Sequence, residues 1–159
     1  MRCFGTVLGL AMILASQASA TVRNGIDVLQ DEQFSSLHGA QVGLITNHTG
    51  RNRQGTSTID LIANAPNVDL QALFSPEHGI RGKQDQAVIE DGRDSKTGLP
   101  IHSLYGERRA PSRDQLAGLD TLVFDIQDIG CRFYTYISTL RLCMEAAAKH
   151  QLRFVVLDR

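Results

Sequence analysis

Four short apolar runs constrain this chain more than any other feature. Val42, Leu44 and Ile45 form the first, and Val68, Leu70, Ala72, Leu73 and Phe74 the second. Leu122, Val123, Phe124 and Ile126 form the third, and Phe154, Val155, Val156 and Leu157 the fourth. Runs this short and this continuously apolar fit strands buried on both faces. Helix-length segments separate them. Ile26, Leu29, Phe34 and Leu37 recur at helical spacing with Gly39 as a stop, which predicts a helix over 25–38. Ser57 or Thr58 can cap a helix running to Ala63, and 111–116 reads as a brief helix. Over 136–150, Ile137, Leu140, Cys143, Met144 and Ala147 share a predicted apolar face, and Lys149 and His150 complement the C-terminal dipole. The alternation predicts an α/β fold: a mostly parallel sheet with helices on both faces, Rossmann-like in layering. No G-x-G-x-x-G or Walker loop is present, so the layering implies no nucleotide.

Each of the first three runs is closed by a polar, glycine-bearing loop, at 47–56, 75–82 and 127–136. If the strands are parallel, these loops share one edge of the sheet, where α/β folds bind ligands. The second loop, SPEHGIRG, follows a strand that Pro76 brings to an end, and places Glu77, His78 and Arg81 within five positions. The first supplies Asn47 and His48, and the third Asp128, Arg132 and Tyr134, with Asp125 near the strand end. Two carboxylates from different strands suit glycoside hydrolysis, one protonating the leaving oxygen and one stabilising or attacking the anomeric carbon. Glu77, beside apolar Phe74 and Pro76, is the expected general acid/base, with His78 next to it. Asp128 is the expected second carboxylate, with Asp125 as its competitor. Either aspartate can instead satisfy backbone N–H groups at a strand end. A serine hydrolase using Ser75 and His78 is disfavoured, because no G-x-S-x-G elbow is present and Pro76 offers no N–H to an oxyanion hole.

SPEHGIRG at 75–82, together with DIQDIGCRFYTY at 125–136, resembles the secreted bacterial exo-β-N-acetylmuramidases of the NamZ type, also called YbbC-like and long catalogued as a domain of unknown function. The likeness extends from GIDVL at 25–29 to VVLDR at the end. It implies the N-terminal catalytic domain of such an enzyme. The implied reaction is release of terminal β-1,4-linked N-acetylmuramic acid from the non-reducing end of peptidoglycan fragments, without metal or organic cofactor. The glutamate of SPEHG would be the acid/base. Arg81 is the first candidate for the lactyl carboxylate of the sugar, ahead of Arg132, Arg51 and Arg53. Asn47, His48, Asp125 and Tyr134 would contact substrate. Because the family architecture continues beyond this chain's last residue, a non-catalytic muropeptide-binding fragment is the alternative expectation.

Residues 1–20 have the form of a secretory signal: Arg2, an apolar stretch over 4–14, and Ala18-Ser19-Ala20 as the cleavage site. A single domain over 21–159 and a secreted or periplasmic location are therefore expected, with no membrane span after cleavage. With 21% charged residues and a net charge of −1, no basic face suggests nucleic acid. There is no C-x-x-C and no histidine pair at i, i+4, so a zinc site has little support. Cys131 and Cys143 could pair in an oxidising compartment, although a buried thiol at Cys143 is favoured. The polar segment 83–99 is long for a connection and is expected to be a functional flap, followed by a short strand over 100–104 and a basic turn at Arg108 and Arg109.

Overall fold

The computed structural model describes residues 22–76, 80, 92–106 and 108–159. The predicted signal segment, Glu77, His78, Arg81 and most of the expected flap lie outside the described residues. Six strands, β1 (Gln41–Thr46), β2 (Asp69–Ser75), β3 (Gly92–Arg93), β4 (Pro100–Ser103), β5 (Thr121–Asp125) and β6 (Arg153–Val156), form one sheet in the order β3-β4-β2-β1-β5-β6. All neighbours are parallel except β3, which pairs antiparallel with β4. The predicted α/β class and mostly parallel sheet are therefore observed.

Alternation along the strands divides the core in two. Val42, Leu44, Leu73 and Val123 point to the face covered by helices α1 (Gly25–Asp31) and α2 (Thr58–Ala63), through Ile26, Leu29, Ile59 and Ile62. Ile45, Phe74, Leu122 and Phe124 point to the face covered by α3 (Tyr136–Lys149), through Tyr136, Cys143 and Ala147. In β2, Leu70 and Ala72 would share a face under strict period-2 alternation. A register shift opposite Val42 and Gly43 leaves Gln71 as the extra residue, so Leu70 joins the first core and Ala72 the second.

Three helical expectations are corrected. The segment 25–38 is not one helix: α1 ends at Asp31 because Gln33 and Phe34 take left-handed φ of 54° and 56°, and a 3-10 turn at Ser35–Leu37 follows. That reversal buries both Phe34 and Leu37. Residues 113–118 form successive turns rather than a helix, with Leu116 anchored in the second core. On α3, the buried line is Tyr136, Thr139, Cys143 and Ala147, whereas Ile137 is 64% and Met144 48% exposed. Cys131 and Cys143 are both free, and burial pushes the Cys143 thiol up to about 12, so it packs as an inert apolar group.

The first core face is also tied down by charge. The Asp27 carboxylate, 4% exposed, accepts the backbone N–H of Arg53 at 3.0 Å and that of Asn24 at 3.2 Å. The Arg53 amide bond holds this carboxyl below its ordinary value against the opposing effect of burial. Its contribution to stability is thus present above the unfolded-state value and is lost as pH falls through the lowered one.

Candidate functional site

From β1 the chain moves outward through α2 to β2 and then β4, and returns to the other side of β1 as β5 and β6. The direction of winding reverses between β1 and β5, and in open α/β sheets ligands bind outside the carboxyl ends of the strands at such a point. The three predicted loops leave this edge from adjacent strands, since β2, β1 and β5 are neighbours and parallel.

The loops after β1 and β5 are hydrogen-bonded to each other. Asn47, 2% exposed, accepts at Oδ1 from the Thr49 N–H (2.9 Å) and the Thr49 hydroxyl (2.6 Å). The Thr49 Oγ1 in turn accepts the Gln127 N–H at 2.9 Å. Asn47 Nδ2 is buried and has no hydrogen-bond partner among the described residues. Asp128 accepts the Gly130 N–H on Oδ1 at 2.7 Å, while its Oδ2 is buried without a partner among those residues. Among the described residues the edge therefore carries an unpaired amide nitrogen and an unpaired carboxylate oxygen, each of a kind that native structures seldom leave so.

Asp125 is arranged differently. It is fully buried, and both carboxylate oxygens are engaged. Arg159 forks onto it through Nε and Nη2, the latter at 3.0 Å, and the Thr58 hydroxyl donates to Oδ2. Its backbone carbonyl accepts the Thr46 hydroxyl at 2.8 Å, and Arg159 Nη2 also reaches the Arg51 carbonyl at 2.8 Å. Asp125 thus presents no free oxygen to a substrate. It joins the ends of β1 and β5, the first residue of α2 and the segment after β6.

Gly50 completes this joint. A β-carbon there would press on Thr46 Oγ1 and lie 3.1 Å from the Asp125 carbonyl oxygen. Neither atom can retreat without breaking their mutual hydrogen bond. Gly50→Ala is therefore expected to lower unfolding free energy by about 1–3 kcal/mol, read from urea melts; an unchanged midpoint would show that the joint yields.

The remaining expected contacts are spread out. His48 is exposed, and its carbonyl accepts Arg51 Nε at 2.8 Å. Arg132 is exposed on the loop after β5. Tyr134 packs edge-on against Tyr136 with ring centroids 5.8 Å apart, beside Phe133, which is 80% exposed. Arg53 lies beside Asp27, against α1. Ser75 is fully buried and donates to the Pro76 carbonyl at 3.1 Å, a poor setting for a nucleophile. Sequence reading missed Thr49, Thr58 and Arg159. Only the position of Arg159, just beyond a strand that ends on the same edge, pointed toward it. Among the described residues no cluster of three or more histidine, cysteine or acidic side chains could hold a metal ion.

Comparison with known proteins agrees with this architecture. Residues 42–159 match the family described as exo-beta-N-acetylmuramidase NamZ, N-terminal. The peptidoglycan beta-N-acetylmuramidase NamZ of Bacillus subtilis is 47% identical over 140 residues, covering 87% of this chain and 34% of that protein. Crystal structures of two DUF1343 family proteins from Bacteroides fragilis superpose with TM-scores of 0.80 and 0.70, at 52% and 34% identity. Each alignment covers 86% of this chain and 34% of the other. The chain thus spans about a third of the length of these relatives. With the match to the family's N-terminal model running from the second residue of β1 to the last residue of the chain, this protein belongs to the NamZ exo-β-N-acetylmuramidase family.

Proposed function

We propose that this chain is the catalytic domain of an exo-acting β-N-acetylmuramidase that removes terminal N-acetylmuramic acid from peptidoglycan fragments outside the cytoplasm. The observation that carries the reading is the 47% identity to a peptidoglycan β-N-acetylmuramidase across nearly the whole described domain. The polar sheet edge at the winding reversal, where the Thr49 hydroxyl joins the loops after β1 and β5, supports it. Glu77, two residues beyond the end of β2 in the sequence, is the proposed acid/base with His78 beside it in the sequence. Asp128 is favoured over Asp125 as the second carboxylate, because Asp128 keeps an unengaged oxygen and Asp125 does not. Asn47, through its unused Nδ2, is the proposed sugar-binding amide, and His48, Arg81, Arg132 and Tyr134 are proposed at the rim. The signal-like residues 1–20 support a secreted or periplasmic location.

The test is release of free N-acetylmuramic acid from a β-1,4-linked disaccharide carrying it at the non-reducing end, followed by chromatography. Stoichiometric release is expected. Folded protein that binds the disaccharide without cleaving it would favour a muropeptide-binding role instead.

A further inference from the structure

A second feature of the same sheet edge lies beyond the winding reversal. A pocket of about 450 Å³ opens between the end of β2, the segment after β4 and the first two turns of α3. The segment after β4 is held in place where the Leu104 N–H extends the ladder to the Ser75 carbonyl at 2.8 Å. Pro76, Leu104 and Leu142 give it apolar lining, and Arg109, Ser138 and Thr139 line it as well. Among the described residues no acidic side chain lines it.

Arg109 is exposed, and its bond to the protein is a long one, from Nε to the Gly106 carbonyl at 3.4 Å. No carboxylate pairs with it among the described residues. A guanidinium with its fork unengaged, sharing a pocket with apolar side chains and the Ser138 hydroxyl, suits a carboxylate borne on a short apolar stem. The amino end of α3 adds field of the same sign.

We propose that this pocket receives the lactyl ether of a muramyl residue, with Arg109 binding its carboxylate and the apolar side chains its methyl group. This rests on the muramidase reading, and makes Arg109 the residue that distinguishes N-acetylmuramic acid from N-acetylglucosamine, which lacks the lactyl group. Pro76 lines the pocket just past the end of β2, and Glu77 is the next residue in the sequence. Arg51, bonded to the His48 carbonyl, and Arg53, against α1, fit less well.

The test compares the full chain with Arg109→Ala and Arg109→Lys. Binding of free N-acetylmuramic acid and of N-acetylglucosamine is followed by calorimetry, and turnover on muramyl and glucosaminyl disaccharides is measured alongside. Arg109→Ala is expected to weaken N-acetylmuramic acid binding about 10- to 100-fold and to raise KM for the muramyl substrate similarly, with kcat little changed. Binding of N-acetylglucosamine should stay as weak as in the parent, and Arg109→Lys should fall between. Equal N-acetylmuramic acid affinity in parent and Arg109→Ala overturns the assignment and leaves the muramidase reading standing. A parent that neither binds nor cleaves muramyl sugars overturns that reading and the assignment together.

Discussion

Arg159→Met is expected to lower the unfolding free energy by about 3–5 kcal/mol, because it leaves the Asp125 carboxylate buried without its counter-charge. The two side chains are only 8% and 0% exposed, so water cannot take over the lost bonds. The ion pairs Lys96–Asp60 and Arg141–Glu145 have partners that are 62% and 67% exposed, and each contributes about 1 kcal/mol or less. Burial decides the ranking, not the number of pairs. Arg159→Lys keeps the charge but cannot fork onto both oxygens while also reaching the Arg51 carbonyl, so an intermediate loss is expected. Asp125→Asn combined with Arg159→Met removes both charges, and should cost less than the sum of the single changes. Urea melts of the parent, Arg159→Met, Asp125→Asn and the double variant form a double-mutant cycle. Additive losses would mean that the fork does not couple the two residues, and that the joint between β1, β5 and α2 is held by Thr46 and Thr58 alone.

How much of this was legible in the chain depends on the range of the interaction. The boundaries of β1 came directly from the sequence, and β2, β5 and β6 to within a few residues, because a strand buried on both faces needs an unbroken apolar run. The face of α3 was legible in part: Leu140, Cys143 and Ala147 meet the core as expected, and Ile137 and Met144 do not. Ile137 and Met144 are apolar, but the line that meets the sheet runs through Tyr136, Thr139 and Cys143. Hydropathy alone does not reveal that a threonine fills a core position. The extra residue in β2 left no mark either, since Gln71 merely looks like the polar member of an alternating strand.

The candidate site divides in the same way. That loops 47–56 and 127–136 share an edge followed from parallel pairing. That β1 and β5 are neighbours, and so bring Thr49 to Gln127, depended on strand order, which pattern does not encode. Asp125 was legible as a carboxylate at a strand end. Its partners, Thr58 and Arg159, are far from it in sequence and carry no local signal, so its engagement became visible only in three dimensions.

Glu77→Gln should produce the largest effect on activity, a fall in kcat of about 10²- to 10⁴-fold with KM nearly unchanged. Gln matches the shape and hydrogen-bonding reach of Glu but has no proton to give to the departing glycosidic oxygen. The loss should therefore depend on the leaving group. On a sugar alcohol leaving group, a poor one, protonation is needed and the loss should be full. On an aryl muramide whose phenol leaves readily as its anion, the bond breaks with little help and the loss should shrink by an order of magnitude or more. Asp128→Asn should behave oppositely, slowing both substrates alike, because a carboxylate that stabilises or attacks the anomeric carbon acts whatever departs. Equal losses on both substrates for Glu77→Gln would take proton donation away from Glu77, and unchanged activity would remove Glu77 from the chemistry. The leaving-group contrast assigns the proton, because a variant that merely disturbs the loop slows both substrates in proportion.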